Sequence, residues 1–206
     1  ILLLGVVTVL VALFAISAGS ANLSVKEVIL TLFGQGSTQS RTIVFNHRMP
    51  RIVTAIVGGI GLAAVGCVMQ SILRNPLASS STLGISQGAA FGASFAIIVL
   101  GAGLQNQTAD AVTILNPYLI SVCAFISAMM STFVIMGLAH FNKVTPESMI
   151  LAGVALSTLF SGATTLLQYF AADVKVAAVV FWTFGDLGRT SCREILIMTI
   201  VTGVVM

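Results

Sequence analysis

The sequence predicts an all-α fold, a polytopic transmembrane helical bundle, and three observations predict it. Hydrophobic residues make up 57% of the chain and charged residues 7%, against about 25% charged in a soluble domain. The charged side chains fall between long apolar runs, as loops between spans do. Several runs are long enough to cross a hydrocarbon core of ~30 Å at ~1.5 Å rise per residue, and about six spans are expected.

Composition also excludes classes of function. The formal net charge of +3 comes without a basic stripe, which argues against nucleic acid as a partner. The three cysteines, Cys67, Cys123 and Cys192, lack metal-type spacing, and the first two read as small helix-packing residues. The two histidines, His47 and His140, lie at span ends with no ligand spacing around them, so no metal site is expected. No G-x-x-x-x-G-K-[ST] loop is present, so ATP is not bound here and no cofactor is called for.

Taken in order, residues 1–18 form the first span. This run has the length of a signal-peptide core, but no cleavage-like site and soluble domain follow it. Both termini lie inside apolar runs, so residues 1–206 read as one transmembrane domain truncated at both ends. Residues 23–30 form a short amphipathic surface helix, with Ser24 and Glu27 spaced as a capping box. Residues 34–40 read as a flexible loop. The second span covers residues 52–73. Ala55, Gly59, Ala63 and Cys67 recur at every fourth position, with Gly58, Gly61 and Gly66 beside them. Small residues at that spacing let helices approach closely, so this span is expected to be surrounded by protein.

Asn75-Pro76 stops that helix, because a residue before proline is pushed out of the α region. Residues 79–82 offer N-caps for a third span over 83–103, and residues 101–116 form a polar loop containing Asp110. Pro117 suits the first turn of a fourth span reaching His140. A turn with Lys143, Pro146 and Glu147 leads to a fifth span over 149–171. Residues 173–194 are an amphiphilic stretch holding Trp182 and a loop at 184–189; too charged at its ends to span, it reads as a short interfacial helix with Trp182 at headgroup depth. A sixth span starts near Ile195.

Four blocks in one order then carry a family resemblance: R-x-P-R at 48–51, G-x-x-M-Q at 66–70, N-P-L-A at 75–78 and L-G-I-S-x-G-A at 83–89. A further block is L-A-G-V-A-L at 151–156. The chain resembles the FecCD-type permeases over essentially its whole length. These are membrane subunits of ABC importers for iron-siderophore complexes, haem and vitamin B12, and in some relatives oxyanions. It departs from many relatives in having Ser79-Ser80-Ser81 where a proline often follows N-P-L-A. The resemblance implies the N-terminal part of a larger helical permease fold. It implies a second permease subunit, a cytoplasmic ATPase pair and an extracytoplasmic substrate-binding protein as partners. The location implied is the prokaryotic plasma (inner) membrane. Iron-siderophore import is favoured as the commonest activity in the family, with cobalamin or haem as the alternative cargo. The permease is expected not to be an enzyme, since ATP hydrolysis belongs to the ATPase.

Orientation produces a conflict. One side of the membrane holds Lys26, Arg41, Arg48, Arg51, Lys175, Arg189 and Arg193, and the other Arg74 and Lys143. The positive-inside rule places the first group in the cytoplasm, whereas the resemblance places the R-x-P-R end outside. The resemblance is followed here, because an outward arginine cluster offers an acidic partner a socket.

Each candidate site has a plain structural reading beside it. Arg48 and Arg51 either anchor a span end by snorkelling or bind carboxylates of the binding protein as guanidinium forks; at three residues apart in a helix they would share a face. Asn75, Pro76 and Leu77 either end a helix or, as the resemblance implies, form the inner mouth of the path with Thr145, Pro146 and Glu147. Glu147 stands where a small polar residue is expected. Gln70, Ser86 and Gln87 either line the path or hydrogen-bond between helices. A competing class, the ion-coupled secondary transporter, calls for ionisable residues at mid-membrane, and the predicted spans carry none. A membrane-embedded enzyme calls for convergent His, Asp or Glu, which the pattern also lacks.

Overall fold

The computed structural model describes residues 2–18, 23–105, 112–114, 116–140 and 145–206. Its helices are α1 (Leu2–Ser17), α2 (Val25–Leu32), α3 (Thr38–Thr42), α4 (Met49–Leu73), α5 (Ile85–Ile98), α6 (Pro117–His140), α7 (Pro146–Tyr169), α8 (Asp173–Phe184) and α9 (Cys192–Val205). A π-helical stretch, Ile43–Arg48, joins α3 to α4, and a 3-10 turn, Leu187–Arg189, precedes α9. The bundle is all-α apart from a small antiparallel hairpin, β1 (Gly103–Gln105) with β2 (Val112–Ile114), which falls where a loop is expected from sequence. Asp110 lies outside the described residues. Among the described residues, three helical runs are long and apolar enough to cross a membrane: Thr38–Leu73, Pro117–His140 and Pro146–Tyr169. Leu2–Ser17 and Ile85–Ile98 are shorter apolar helices.

The chain divides into two compact units, residues 1–64 with 186–206 and residues 65–185. In the first, Ile16, Val28 and Val44 form a small core, edged by Leu23, Met49 and Ile52. Ser24 caps α2 by accepting from the Glu27 amide at 3.2 Å. The Glu27 carboxylate does not close the expected box; its Oε1 accepts from Ser40 Oγ at 3.0 Å and so ties α2 to α3. The stretch expected to be a loop up to residue 40 is already helical from Thr38, because Ser37 caps it by accepting from the Ser40 amide. A true capping box occurs instead at Ser191 and Glu194, which starts α9 three residues before the predicted Ile195.

In the second unit α5 is the central helix. Ala93, Ala96 and Ile97 are buried against Ile120 and Ala124 of α6 and Ala178 and Val179 of α8. Glycines allow that closeness. A Cβ on Gly88 would meet Ser127 O at 3.0 Å, and one on Gly92 would meet Ser127 Oγ at 2.6 Å and Cys123 C at 2.7 Å. The 14 residues of α5 extend only about 21 Å, so the third span is shorter than its predicted 83–103. The C-terminal end of α5 receives Lys175 of α8, whose Nζ donates to Ile98 O at 2.8 Å. A cation there complements the negative end of the helix dipole. Trp182 lies against the same core, and α8 ends at Gly185 (φ 78°), within the loop expected at residues 184–189.

Among the described residues α4 does not show the surround of protein expected for it. Ala55, Gly59, Ala63 and Cys67 are exposed, and none of the described residues lies within 4 Å of a Cβ placed on Gly59 or Gly66. Among the described residues, a Cβ on Gly58 would meet Met198 Cε at 3.9 Å and one on Gly61 the Thr202 side chain at 3.5 Å. Small residues at every fourth position mark where a backbone can be approached, not which segment does so. The close approach in this structure belongs to α5.

Candidate functional site

The R-x-P-R segment crosses from the π-helical stretch into α4. Arg48 is half-buried and turns back to α1: Nη1 donates to Ile16 O and, at 3.0 Å, to Ser17 O. The last carbonyls of a helix have no partner within it, and a guanidinium there both satisfies them and offsets the dipole. Arg51, one turn further, is exposed. Its guanidinium lies against Gly188, where an added Cβ would meet Arg51 Nη2, with Arg51 Cζ at 3.3 Å and Asp186 Oδ1 at 3.0 Å. Asp186 Oδ1 accepts from the Gly188 amide at 2.7 Å and so shapes this turn.

A second tie lies beneath it. Buried Thr54 donates to Pro50 O at 2.8 Å, and its hydroxyl is 2.9 Å from that of Thr190. Thr190 is also 2.8 Å from Leu187 O. The two arginines therefore do not project together. A shared helical face fixes where Cβ atoms leave the backbone, not where long side chains end. The turn falls in the loop expected at residues 184–189, where an aspartate two residues before a glycine has the spacing of an Asx turn; its contact with Arg51 has no such local signal.

The predicted inner mouth is in the second unit. Arg74 takes a left-handed conformation (φ 46°) and ends α4. Asn75 accepts through Oδ1 from the Leu77 amide at 2.9 Å, and its carbonyl accepts from the Ala78 amide at 3.1 Å. Pro76 and Leu77 are exposed. The serines beyond them do not cap α5. Ser79 and Ser81 bond each other at 2.7 Å, and left-handed Gly84 (φ 73°) stands at the cap position. Hydroxyls of two helices hold this turn: Ser131 of α6 donates to Leu83 O at 2.9 Å, and Ser157 of α7 lies 3.4 Å from Ser81 O. Gly84 and Gly153 approach so closely that a Cβ on Gly84 would be 3.0 Å from Gly153 O. Non-helical backbone in a membrane persists only where its polar groups are met in this way.

Thr145 caps α7 by accepting from the Ser148 amide at 3.4 Å, with Pro146 in the first turn and Glu147 exposed beside it. No hydrogen bond joins Asn75, Pro76 or Leu77 to Thr145, Pro146 or Glu147 among the described residues; α7 meets the 81–84 turn further along, at Gly153 and Ser157. Gln70 of α4 is exposed, as are Ser86 and Gln87, which lie off the packed face of α5. His47 and His140 are exposed at or near helix ends. Cys123 packs against the α5 core as expected, whereas Cys67 is exposed.

The chain is 50% identical over 190 residues to a protein of Methanocaldococcus jannaschii named as a candidate ABC transporter permease, covering 92% of this chain and 54% of that one. It is 28% identical over 199 residues to the Fe(3+)-citrate import system permease protein YfmE of Bacillus subtilis, covering 96% and 55%. The chain thus spans about half the length of these relatives. Among solved structures, an inward-facing candidate metal-chelate type ABC transporter superimposes with a TM-score of 0.75 at 26% identity, covering 98% of this chain and 57% of that one. The model of the FecCD transport family matches residues 7–206, and with the helical architecture above this chain belongs to that family.

Proposed function

We propose that this chain is part of the permease subunit of a binding-protein-dependent ABC importer, forming the path for an iron chelate across the prokaryotic plasma membrane. The observation that carries the reading is the likeness to the candidate metal-chelate transporter over 98% of this chain. The Fe(3+)-citrate permease among its relatives supports iron as the cargo metal. A second permease subunit completes the pathway. A separate ATPase pair hydrolyses ATP, and this subunit is not itself an enzyme. A soluble binding protein delivers the chelate to the outward edge at Arg51. Asn75, Pro76 and Leu77, with Thr145, Pro146 and Glu147, form the inner mouth, and Gln70, Ser86 and Gln87 border the path.

The test is uptake of radiolabelled ferric citrate and ferric siderophores into proteoliposomes holding the full-length permease and its ATPase, with the binding protein outside. Uptake that needs ATP and the binding protein is expected. Uptake of cobalamin, haem or molybdate instead would change the cargo. Uptake driven by an ion gradient without the ATPase would overturn the importer class.

A further inference from the structure

Gly188 is an exposed glycine whose missing side chain has a use. Its φ lies outside the left-handed region, so the backbone conformation does not call for glycine. The space where a Cβ would go is occupied by the end of the Arg51 side chain, with the Asp186 carboxylate on the same side. The turn that carries Gly188 is fixed from within by the Asp186 bond to the Gly188 amide. It is also fixed to α4 by the Thr54 and Thr190 hydroxyls, 2.9 Å apart and one turn below Arg51. An arginine on an open surface samples many rotamers and loses that freedom on binding. A guanidinium laid across a glycine on a braced turn has lost much of it beforehand, which favours association.

We propose that Gly188 is a positioning residue, the seat that presents the Arg51 guanidinium to a carboxylate of the incoming binding protein. The docking surface then includes the 186–190 turn as well as the head of α4. The proposal rests on the docking role given to Arg51 above. Arg48 is bonded to the α1 carbonyls instead. Gly188→Ala is a mild variant for the fold: alanine suits the backbone, and what its methyl displaces is the far end of a flexible side chain.

The experiment measures binding of the importer's purified binding protein to the full-length permease–ATPase complex in nanodiscs at low salt. Arg51→Ala, Gly188→Ala and the double variant are compared. Arg51→Ala should weaken binding about tenfold. Gly188→Ala should weaken it about threefold or more, with the thermal midpoint unchanged. The double variant should bind no more weakly than Arg51→Ala, because both changes remove one interaction. If Arg51→Ala weakens binding and Gly188→Ala does not, the seat is refuted and docking at Arg51 stands. Additive losses also refute it, since Gly188 would then act on its own account. If Arg51→Ala binds as wild type, the docking role fails and takes the seat with it. Should Gly188→Ala not reach the membrane, Arg51→Lys replaces it. An ammonium keeps the charge but has no plane to lie over the glycine, so wild-type affinity there overturns the proposal.

Discussion

Arg48 Nη1 lies 3.0 Å from Ser17 O, across 31 positions of sequence, and ties the head of α4 to the tail of α1. A paired motif such as R-x-P-R invites one role for both arginines, yet this contact gives Arg48 a structural task that Arg51 does not share. Arg48→Ala should therefore lower the thermal midpoint, at a cost of about 1.5–3 kcal/mol for a lost charge-assisted bond to a helix end. Arg48→Lys should recover part of the loss. Equal midpoints for wild type and Arg48→Ala, read by thermal unfolding in detergent, would show that the α1 contact contributes nothing.

Glycines of similar spacing should behave differently in α4 and α5. A methyl at Gly92 would press on Ser127 Oγ and the Cys123 backbone, so Gly92→Ala is expected to cost about 1–3 kcal/mol through overpacking. A methyl at Gly59 meets nothing within 4 Å, and alanine is the better helix former by about 0.8–1 kcal/mol. Gly59→Ala should be neutral or stabilising. Chemical denaturation of both variants in micelles measures the contrast; equal losses would show that α4 is packed as tightly as α5.

Lys175 offers a separable test. Lys175→Met keeps an apolar stem against α5 but removes the cation from Ile98 O. A loss of about 0.5–2 kcal/mol is expected, with hydrogen exchange rising first in the last turn of α5. Unchanged exchange at residues 95–98 would assign the lysine to solvent.

Topology is open to direct labelling. Gln35 is exposed between α2 and α3. A cysteine there should react with an impermeant maleimide in intact cells if the R-x-P-R edge faces outward. Reaction only after permeabilisation would restore the orientation that the charge count favours.

Much of the architecture is legible from composition and punctuation. The Ser24 cap, the break after Leu73 and the start at Pro117 follow from local chemistry, and local chemistry is what a sequence displays. The identity of the buried helix is not local. The pattern at Ala55, Gly59, Ala63 and Cys67 and that at Gly84, Gly88 and Gly92 both permit close packing, and only the tertiary arrangement selects the second. The helical start at Thr38 was hidden because a polar stretch with two glycines reads as a loop until Ser37 is seen to cap it. The candidate site was half visible. Arg51 is named by its motif, but its neighbour Gly188 lies 137 positions away and has no side chain to advertise a contact.

The glycine contacts of α5 also bear on mechanics. Gly88 and Gly92 let α5 rest on the carbonyls of Ser127 and Cys123, with Ala93 and Ala96 of the adjoining face buried. A slide of one residue along the shared axis would bring a side chain where only hydrogen fits. The pair is geared: α5 and α6 resist shear and behave as a single stiff plate.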